Sequence, residues 1–258
     1  MPSRRLLLQS AILLPVAAHA EIADDDDTWR GLKPMFFGDK VIDEATGYVT
    51  VDAPGRPKEA GHVPVALTFP ARDKGDRVVA ANVIIDENPA PLVTVIKRGR
   101  VGAGDFDFAL PLRVNSYSWL RVIAETESGA LHMAKTFVKA SGGCSAPASK
   151  SASEAEAEVG AIAFRTISDL GRPEAVVTIQ HPNYSGMQMD QLTRMYAPAW
   201  YLTRLRVSQG DDLLFSMENG ISVAENPSFR FSFVGSGAPV RIEAKDSRGQ
   251  VYTRTFGA

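Results

Sequence analysis

The sequence predicts an all-β protein: two antiparallel β-sandwiches joined by a flexible linker, with one short helix in front. Three observations predict it. Apolar residues alternate with period two in both halves, turn residues punctuate these runs at short intervals, and the composition changes abruptly between residues 141 and 158. A length of 258 residues with 45% apolar content suits one large or two ordinary domains, two of about 100 residues each being large enough to hold their own cores, and reads as globular rather than disordered.

The chain opens with Arg4 and Arg5, an apolar stretch from Leu6 to Ala18, and Ala18-His19-Ala20 as a small-x-small cleavage site. Residues 1–20 therefore read as a cleavable signal peptide, with the exported protein starting at Glu21. That run is too short to span a bilayer, and no later segment reaches about 18 uninterrupted apolar residues. The acidic run Asp24 to Asp27 lacks the ligand spacing and turn glycine of a cation site and reads as a solvated terminus. Next, Trp29, Leu32, Met35 and Phe36 fall at helical spacing behind an Asp or Thr N-cap, with Pro34 limiting the helix.

Residues 21–140 form the first predicted domain. Val63, Val65, Leu67 and Phe69 alternate, as do Phe106, Phe108, Leu110 and Leu112; Leu120, Val122 and Ala124 continue the theme, followed by Leu131, Met133 and Phe137. Turns are marked at Lys74-Gly75-Asp76, Asn88-Pro89-Ala90-Pro91, Gly102-Ala103-Gly104 and Ser128-Gly129. Residues 141–158, rich in Ala, Ser, Gly, Pro and Glu, read as a linker. The second domain, 159–258, resumes strand patterns at Ala161 to Thr166, Val176 to Gln180, Tyr201 to Val207, Leu213 to Met217, Phe229 to Phe233, Val240 to Ala244 and Val251 to Phe256.

Composition and motifs narrow the function. The net charge of −2 becomes more negative once Arg4 and Arg5 leave with the signal, which recruits neither nucleic acid nor an anionic membrane. There is no CxxC pair, no His-Glu-x-x-His and no Gly-rich loop ending in Lys-Ser or Lys-Thr. Gly99-Arg100-Val101-Gly102-Ala103-Gly104 joins two strands and opens no helix, so it reads as a hairpin turn. His62, His132 and His181 are far apart and lack acidic neighbours at ligand spacing, so neither a metal nor a cofactor is expected. His181-Pro182 reads as a turn that redirects the chain.

Cys144 stands apart. It is the only cysteine, in Ser141-Gly142-Gly143-Cys144-Ser145-Ala146-Pro147, a stretch without periodicity. It has no partner within its own chain, which leaves an intermolecular disulfide or a free, chemically used thiol. With Gly142 and Gly143 as a flexible arm the thiol is expected to be accessible and near its ordinary pKa of about 8.5, only a few per cent thiolate at neutral pH. From Val138 such an arm would reach about 20 Å. A thiol of this kind suits a carrier loaded by a partner better than a self-activated catalyst.

The residues also resemble a known family. Trp29-x-x-Leu32-Lys33-Pro34, Phe37-Gly38, Gly61-His62-Val63-Pro64-Val65, Ile84-Ile85-Asp86-Glu87-Asn88-Pro89-Ala90-Pro91-Leu92 and Val138-Lys139-Ala140-Ser141-Gly142-Gly143-Cys144 resemble the SoxY sulfur-carrier subunit. His181-Pro182, Gly186, Asp190, Pro198 and Ile221-Ser222-Val223-Ala224-Glu225-Asn226-Pro227-Ser228-Phe229, with Phe231 and Phe233, resemble its partner SoxZ. The order is that of a SoxY-SoxZ fusion, similar to SoxYZ-like carriers associated with quinoprotein dehydrogenases. The resemblance implies two immunoglobulin-like sandwiches and a sulfur-containing intermediate attached covalently to Cys144 in the periplasm. It further implies periplasmic oxidation enzymes as partners, with a PQQ-dependent dehydrogenase or c-type cytochrome among the candidates. In the separate SoxY subunit the cysteine lies in a terminal Gly-Gly-Cys-Gly-Gly tail, whereas Cys144 is internal and would enter a partner as a loop.

The preferred reading is thus a non-enzymatic carrier. The alternative is a non-covalent docking module for a quinoprotein dehydrogenase or cytochrome, distinguished by whether Cys144→Ser abolishes function while partner binding survives. A redox enzyme ranks last, since neither a resolving cysteine nor a catalytic set is visible.

Overall fold

The computed structural model describes residues 27–44, 47–99, 104–147, 149, 157–169, 172–189 and 194–257. The predicted signal peptide, residues Asp24 to Asp26, Asp190 and most of the Glu154 to Glu158 stretch lie outside these. The first half supplies helix α1 (Asp27–Phe37) and strands β1 (Ile42–Asp43), β2 (Thr50–Asp52), β3 (Val63–Phe69), β4 (Val78–Ile85), β5 (Leu92–Arg98), β6 (Phe106–Leu112), β7 (Ser118–Thr126) and β8 (Leu131–Val138). The second supplies β9 (Ile162–Asp169), β10 (Arg172–Ile179), β11 (Leu202–Gln209), β12 (Asp212–Asn219), β13 (Ser228–Ser232), β14 (Val240–Asp246) and β15 (Val251–Phe256). Among the described residues the protein is all-β, with the short helix α1 in front, as the sequence pattern implies.

The strands form two sheets, and both run through the two halves. One has the order β1-β8-β7-β4-β5-β12-β11-β14-β15, the other β2-β3-β6-β13-β10-β9. Each half is therefore a sandwich, and the two sandwiches are joined edge to edge by β5 with β12 and by β6 with β13. Gly99 permits the first junction: a Cβ there would lie 1.6 Å from the Leu213 carbonyl oxygen, while its N–H donates to Leu214 O at 2.8 Å. The glycine that reads as part of a hairpin thus also marks a seam. Beneath it the core is continuous, with the Phe108 and Phe215 rings 5.0 Å apart at 77° and Phe215 4.8 Å from Phe231. Pairing both edges also removes two exposed strand edges per half, which favours a stable union.

This gives an expected result. After a protease cut between residues 150 and 156, the two halves will co-elute on a sizing column without denaturant, because two ladders and a shared aromatic core hold them. Separate peaks would contradict the seam.

Helix α1 lies on the outer face of the larger sheet. Trp29 is buried with Ile84, Ile123, Leu131 and Met133, and Leu32, Phe36 and Phe37 pack beside it. Two sequence expectations need correction here. The helix continues three residues past Pro34 to Phe37, since packing of Phe36 and Phe37 offsets the single hydrogen bond that proline removes on the solvent side. Met35, expected on the buried face, is 74% exposed, and Phe37 takes that place. Under Trp29 sits the buried Arg121, its guanidinium 4.8 Å from the indole and its Nε donating to both Asp86 oxygens at 2.8 and 3.1 Å.

Candidate functional site

The chain leaves β8 at Val138 and returns over the end of the first sandwich. Lys139 N–H donates to Gly55 O at 2.9 Å, Gly142 N–H to Asn115 O at 2.8 Å and Gly143 N–H to Val114 O at 3.0 Å. Gly142 adopts φ 76, in the left-handed region, and a single 3-10 turn, Gly143–Ser145, follows. Gly143 is pressed against backbone: a Cβ there would lie 2.2 Å from Ala60 O and 2.5 Å from Val114 O. Gly142 and Gly143 therefore build a tight turn, in contrast to the expected free arm. Both glycines are needed for their geometry, one for its dihedral and one for its missing side chain.

Cys144 follows with 0% of its surface exposed, which corrects the expectation of an accessible thiol. Its carbonyl accepts from Ser185 Oγ at 2.5 Å, a residue of the second half. Burial pushes the thiol pKa up, and Arg113 and the Ser222 hydroxyl act against that rise without cancelling it. Arg113, 3% exposed, donates through Nη1 to Gly143 O at 3.4 Å and through Nη2 to Asn183 O at 3.3 Å, leaving Nε without a hydrogen-bond partner among the described residues. Burial lowers the pKa of this guanidinium, with Cys144 and then Glu225 working in the opposite direction.

The surrounding polar groups join the halves. Buried Asn88 donates to Arg113 O at 2.8 Å and to Ser222 Oγ at 3.0 Å, and its Oδ1 accepts from Asn115 N–H at 2.8 Å. Asn183, at φ 43, donates to Ala224 O at 2.7 Å and accepts from Leu202 N–H at 2.9 Å. Asn226, at φ 45, has its Oδ1 accepting from His181 N–H at 2.9 Å. Segments that are separate in sequence, Ile84 to Leu92, His181-Pro182 and Ile221 to Phe229, are thus tied into one hydrogen-bonded network, from which Ser222 bears on Cys144. Beside residues 141–147 lies a cleft of about 430 Å³, lined by Arg113, His62, Gly142, Ala146, Glu225 and Asn226 among others.

Residues 33–144 match the family described as sulfur oxidation protein SoxY, and residues 169–256 match sulphur oxidation protein SoxZ. The chain belongs to both families, one in each half. It is a SoxY-SoxZ fusion of the sulfur-oxidation carrier type. Among solved structures, the sulfur carrier protein SoxY from Chlorobium limicola f thiosulfatophilum is 20% identical with a TM-score of 0.37, over 44% of this chain and 92% of that one. No curated protein matches. In the fusion the SoxY match ends at Cys144, and the SoxZ half supplies Ser185, Asn183 and Ser222 around it.

The histidines of the fusion take separate positions. His132 stacks on Tyr48 at 3.4 Å, His62 lines the cleft, and His181 is buried in the SoxZ half. His181 Nδ1 accepts from Asn183 N–H at 3.1 Å, and Nε2 lies 3.7 Å from an Asp246 oxygen that also accepts from Trp200 and Tyr252. This is the turn role the sequence suggests, since the ring fixes the Asn183 backbone.

Burial drives the His181 pKa down to about 4, with the Asp246 carboxylate opposing. The unfolded chain, with an ordinary value near 6.5, then binds a proton that the folded chain refuses. Stability is full above about pH 6.5 and falls as pH drops from 6.5 towards 4, by a total of about 3 kcal/mol. Urea midpoints measured across that window will show the decline, and His181→Gln will flatten it. A flat wild-type profile would mean that the ring is hydrated in the folded protein.

Proposed function

We propose that the fusion is a periplasmic carrier that holds a sulfur-containing intermediate covalently on Cys144 and presents it to partner enzymes. The observation that carries this reading is the position of the only thiol: it ends the SoxY match and sits where polar groups of both halves converge. The two groups bearing on the thiol, Arg113 and Ser222, are a cation and a hydroxyl, and neither is a base that could activate it. Transfer is therefore driven by a partner, and the protein itself is not an enzyme. The partners are periplasmic oxidation enzymes, and a PQQ-dependent dehydrogenase or c-type cytochrome fits the resemblance of the fused form.

Intact mass spectrometry of the protein isolated from its own periplasm tests this. The expected spectrum shows a chain starting at Glu21 with added mass on Cys144, removed by reductant and absent from Cys144→Ser. Material carrying only the bare thiol under conditions of active sulfur oxidation would overturn the carrier reading.

A further inference from the structure

Among the described residues two arginines are buried, Arg113 and Arg121, and their surroundings differ. Arg121 Nε donates to both Asp86 oxygens at 2.8 and 3.1 Å, so that charge is neutralised where it lies. Arg113 forms no ion pair among the described residues. Its hydrogen bonds to Gly143 O at 3.4 Å and Asn183 O at 3.3 Å are both long, and its Nε has no hydrogen-bond partner among those residues. A guanidinium offers five N–H donors and keeps its charge, and a buried charge is normally paired. Glu225 acts on Arg113 without touching it, and both Glu225 oxygens already accept from Ser149. The cation is thus under-satisfied.

Arg113 also lines the cleft beside residues 141–147. Gly61 keeps the wall open next to it: a Cβ there would lie 3.7 Å from Arg113 Nη1 and 3.0 Å from Ala146 Cβ, and all three residues line the cleft. The Gly61-His62 stretch therefore places a missing side chain next to a buried positive charge. Arg113 holds the carbonyl of Gly143, the residue before Cys144, so the cleft and the thiol share one cation.

We propose that this cleft is a subsite for a sulfonate group, with Arg113 supplying the charge that binds it. The proposal deepens the carrier reading and rests on it for its biological meaning, because the oxidised end of a sulfur chain is a sulfonate. A guanidinium presents parallel N–H donors to two oxygens of one anion, which suits it to this group. Glu59 and Glu225 line the cleft as well, so a second negative charge on the ligand is repelled. The cleft therefore favours a singly charged sulfonate over the doubly charged sulfate ion.

The test uses the full mature chain and methanesulfonate. The Arg113 Nε–H signal in a proton–nitrogen correlation spectrum, assigned by its loss in Arg113→Lys, is expected to move and saturate with methanesulfonate. Sodium chloride at equal ionic strength should leave it in place, and sulfate should bind more weakly. Arg113→Gln should weaken methanesulfonate binding, followed by the Gly61 and Gly142 amide signals, at least about tenfold, the effect of losing one charge-assisted hydrogen bond. If that variant does not fold, the titration of the wild-type signal decides alone.

Two disulfide adducts tell a carried sulfonate from a free one. The Cys144 thiolate attacks the sulfenyl sulfur of (2-sulfonatoethyl) methanethiosulfonate or of methyl methanethiosulfonate, a new S–S bond forms, methanesulfinate leaves, and the thiol proton passes to the buffer. For a carried group, the sulfonatoethyl adduct holds the Arg113 signal at its saturated position and ignores added methanesulfonate, while the methyl adduct still responds. A response of both adducts to added methanesulfonate assigns the subsite to a free sulfonate. The proposal is overturned if neither methanesulfonate nor the sulfonatoethyl adduct moves the signal, or if Arg113→Gln binds as tightly as the wild type. Cargo on Cys144 in the periplasm with an unmoved signal would remove the subsite and leave the carrier; a bare periplasmic thiol with a saturable shift would do the reverse.

Discussion

Asp86→Ala will destabilise the protein by about 3–5 kcal/mol, the loss expected when one partner of a buried ion pair is removed. The Asp86 and Arg121 side chains are almost wholly inaccessible, and Nε lies 2.8 Å from the nearer carboxylate oxygen. Arg121 is roofed by Trp29 and flanked by Trp119, with Nη1 3.9 Å from the Met133 sulfur. Without Asp86 the guanidinium loses its buried carboxylate partner, and the cation under Trp29 is no longer fixed by that ion pair. The urea midpoint should fall with little change in slope, and α1 should be the first element to lose protection. A loss below about 1 kcal/mol would mean that water reaches Arg121 once the carboxylate is gone.

The same pair shows what a sequence conceals. The strands that cover one core face and one solvent face, such as β3, β13 and β14, are legible because burial alternates along them. Strand β4, Val78–Ile85, carries no alternation because its inner face meets the main core while Ile84 lies under α1. A residue run that is apolar on both sides loses the period that would announce it. Pro34 misleads for a related reason, since a local rule about proline is overridden by contacts that Phe36 and Phe37 make with a distant sheet.

The seam is equally silent in sequence. Phe108 and Phe215 read as core residues of two domains, and nothing local tells that their rings meet. A long connection between the halves suggests independence, yet the edges of both sheets are consumed in joining them.

At the site, the single cysteine and the short motifs are visible, while their common destination is not. Ser185 reaches Cys144 from 41 residues away, and Asn88 reaches Ser222 from 134. The two glycines before Cys144 carry the ambiguity in its sharpest form. Small residues without periodicity describe a loose arm and a tightly packed turn equally well, because glycine is chosen both where the chain must move and where a Cβ cannot fit.

Gly143→Ala separates those two meanings and has the largest expected effect at the site. Its Cβ would lie 2.2 Å from Ala60 O, 2.5 Å from Val114 O and 2.7 Å from the Ala60 carbonyl carbon. All three are backbone atoms, held by the Val114 N–H to Ala60 O bond, so no side chain can swing aside. The turn must lift, which breaks the Gly143 amide bond to Val114 and carries Cys144 out of its pocket. Losing about 3 kcal/mol of docking corresponds to roughly a hundredfold rise in thiol labelling of the native protein. Gly142→Ala provides the control: at φ 76 it meets a dihedral penalty of about 1–2 kcal/mol, but its nearest neighbour would be Ser145 Oγ at 3.8 Å. Its labelling should therefore rise by only about tenfold, and both variants should keep the far-UV signature of the sheets. If the two glycines were an unconstrained arm, neither alanine would change the labelling rate, and wild-type Cys144 would already react as fast as in the denatured chain.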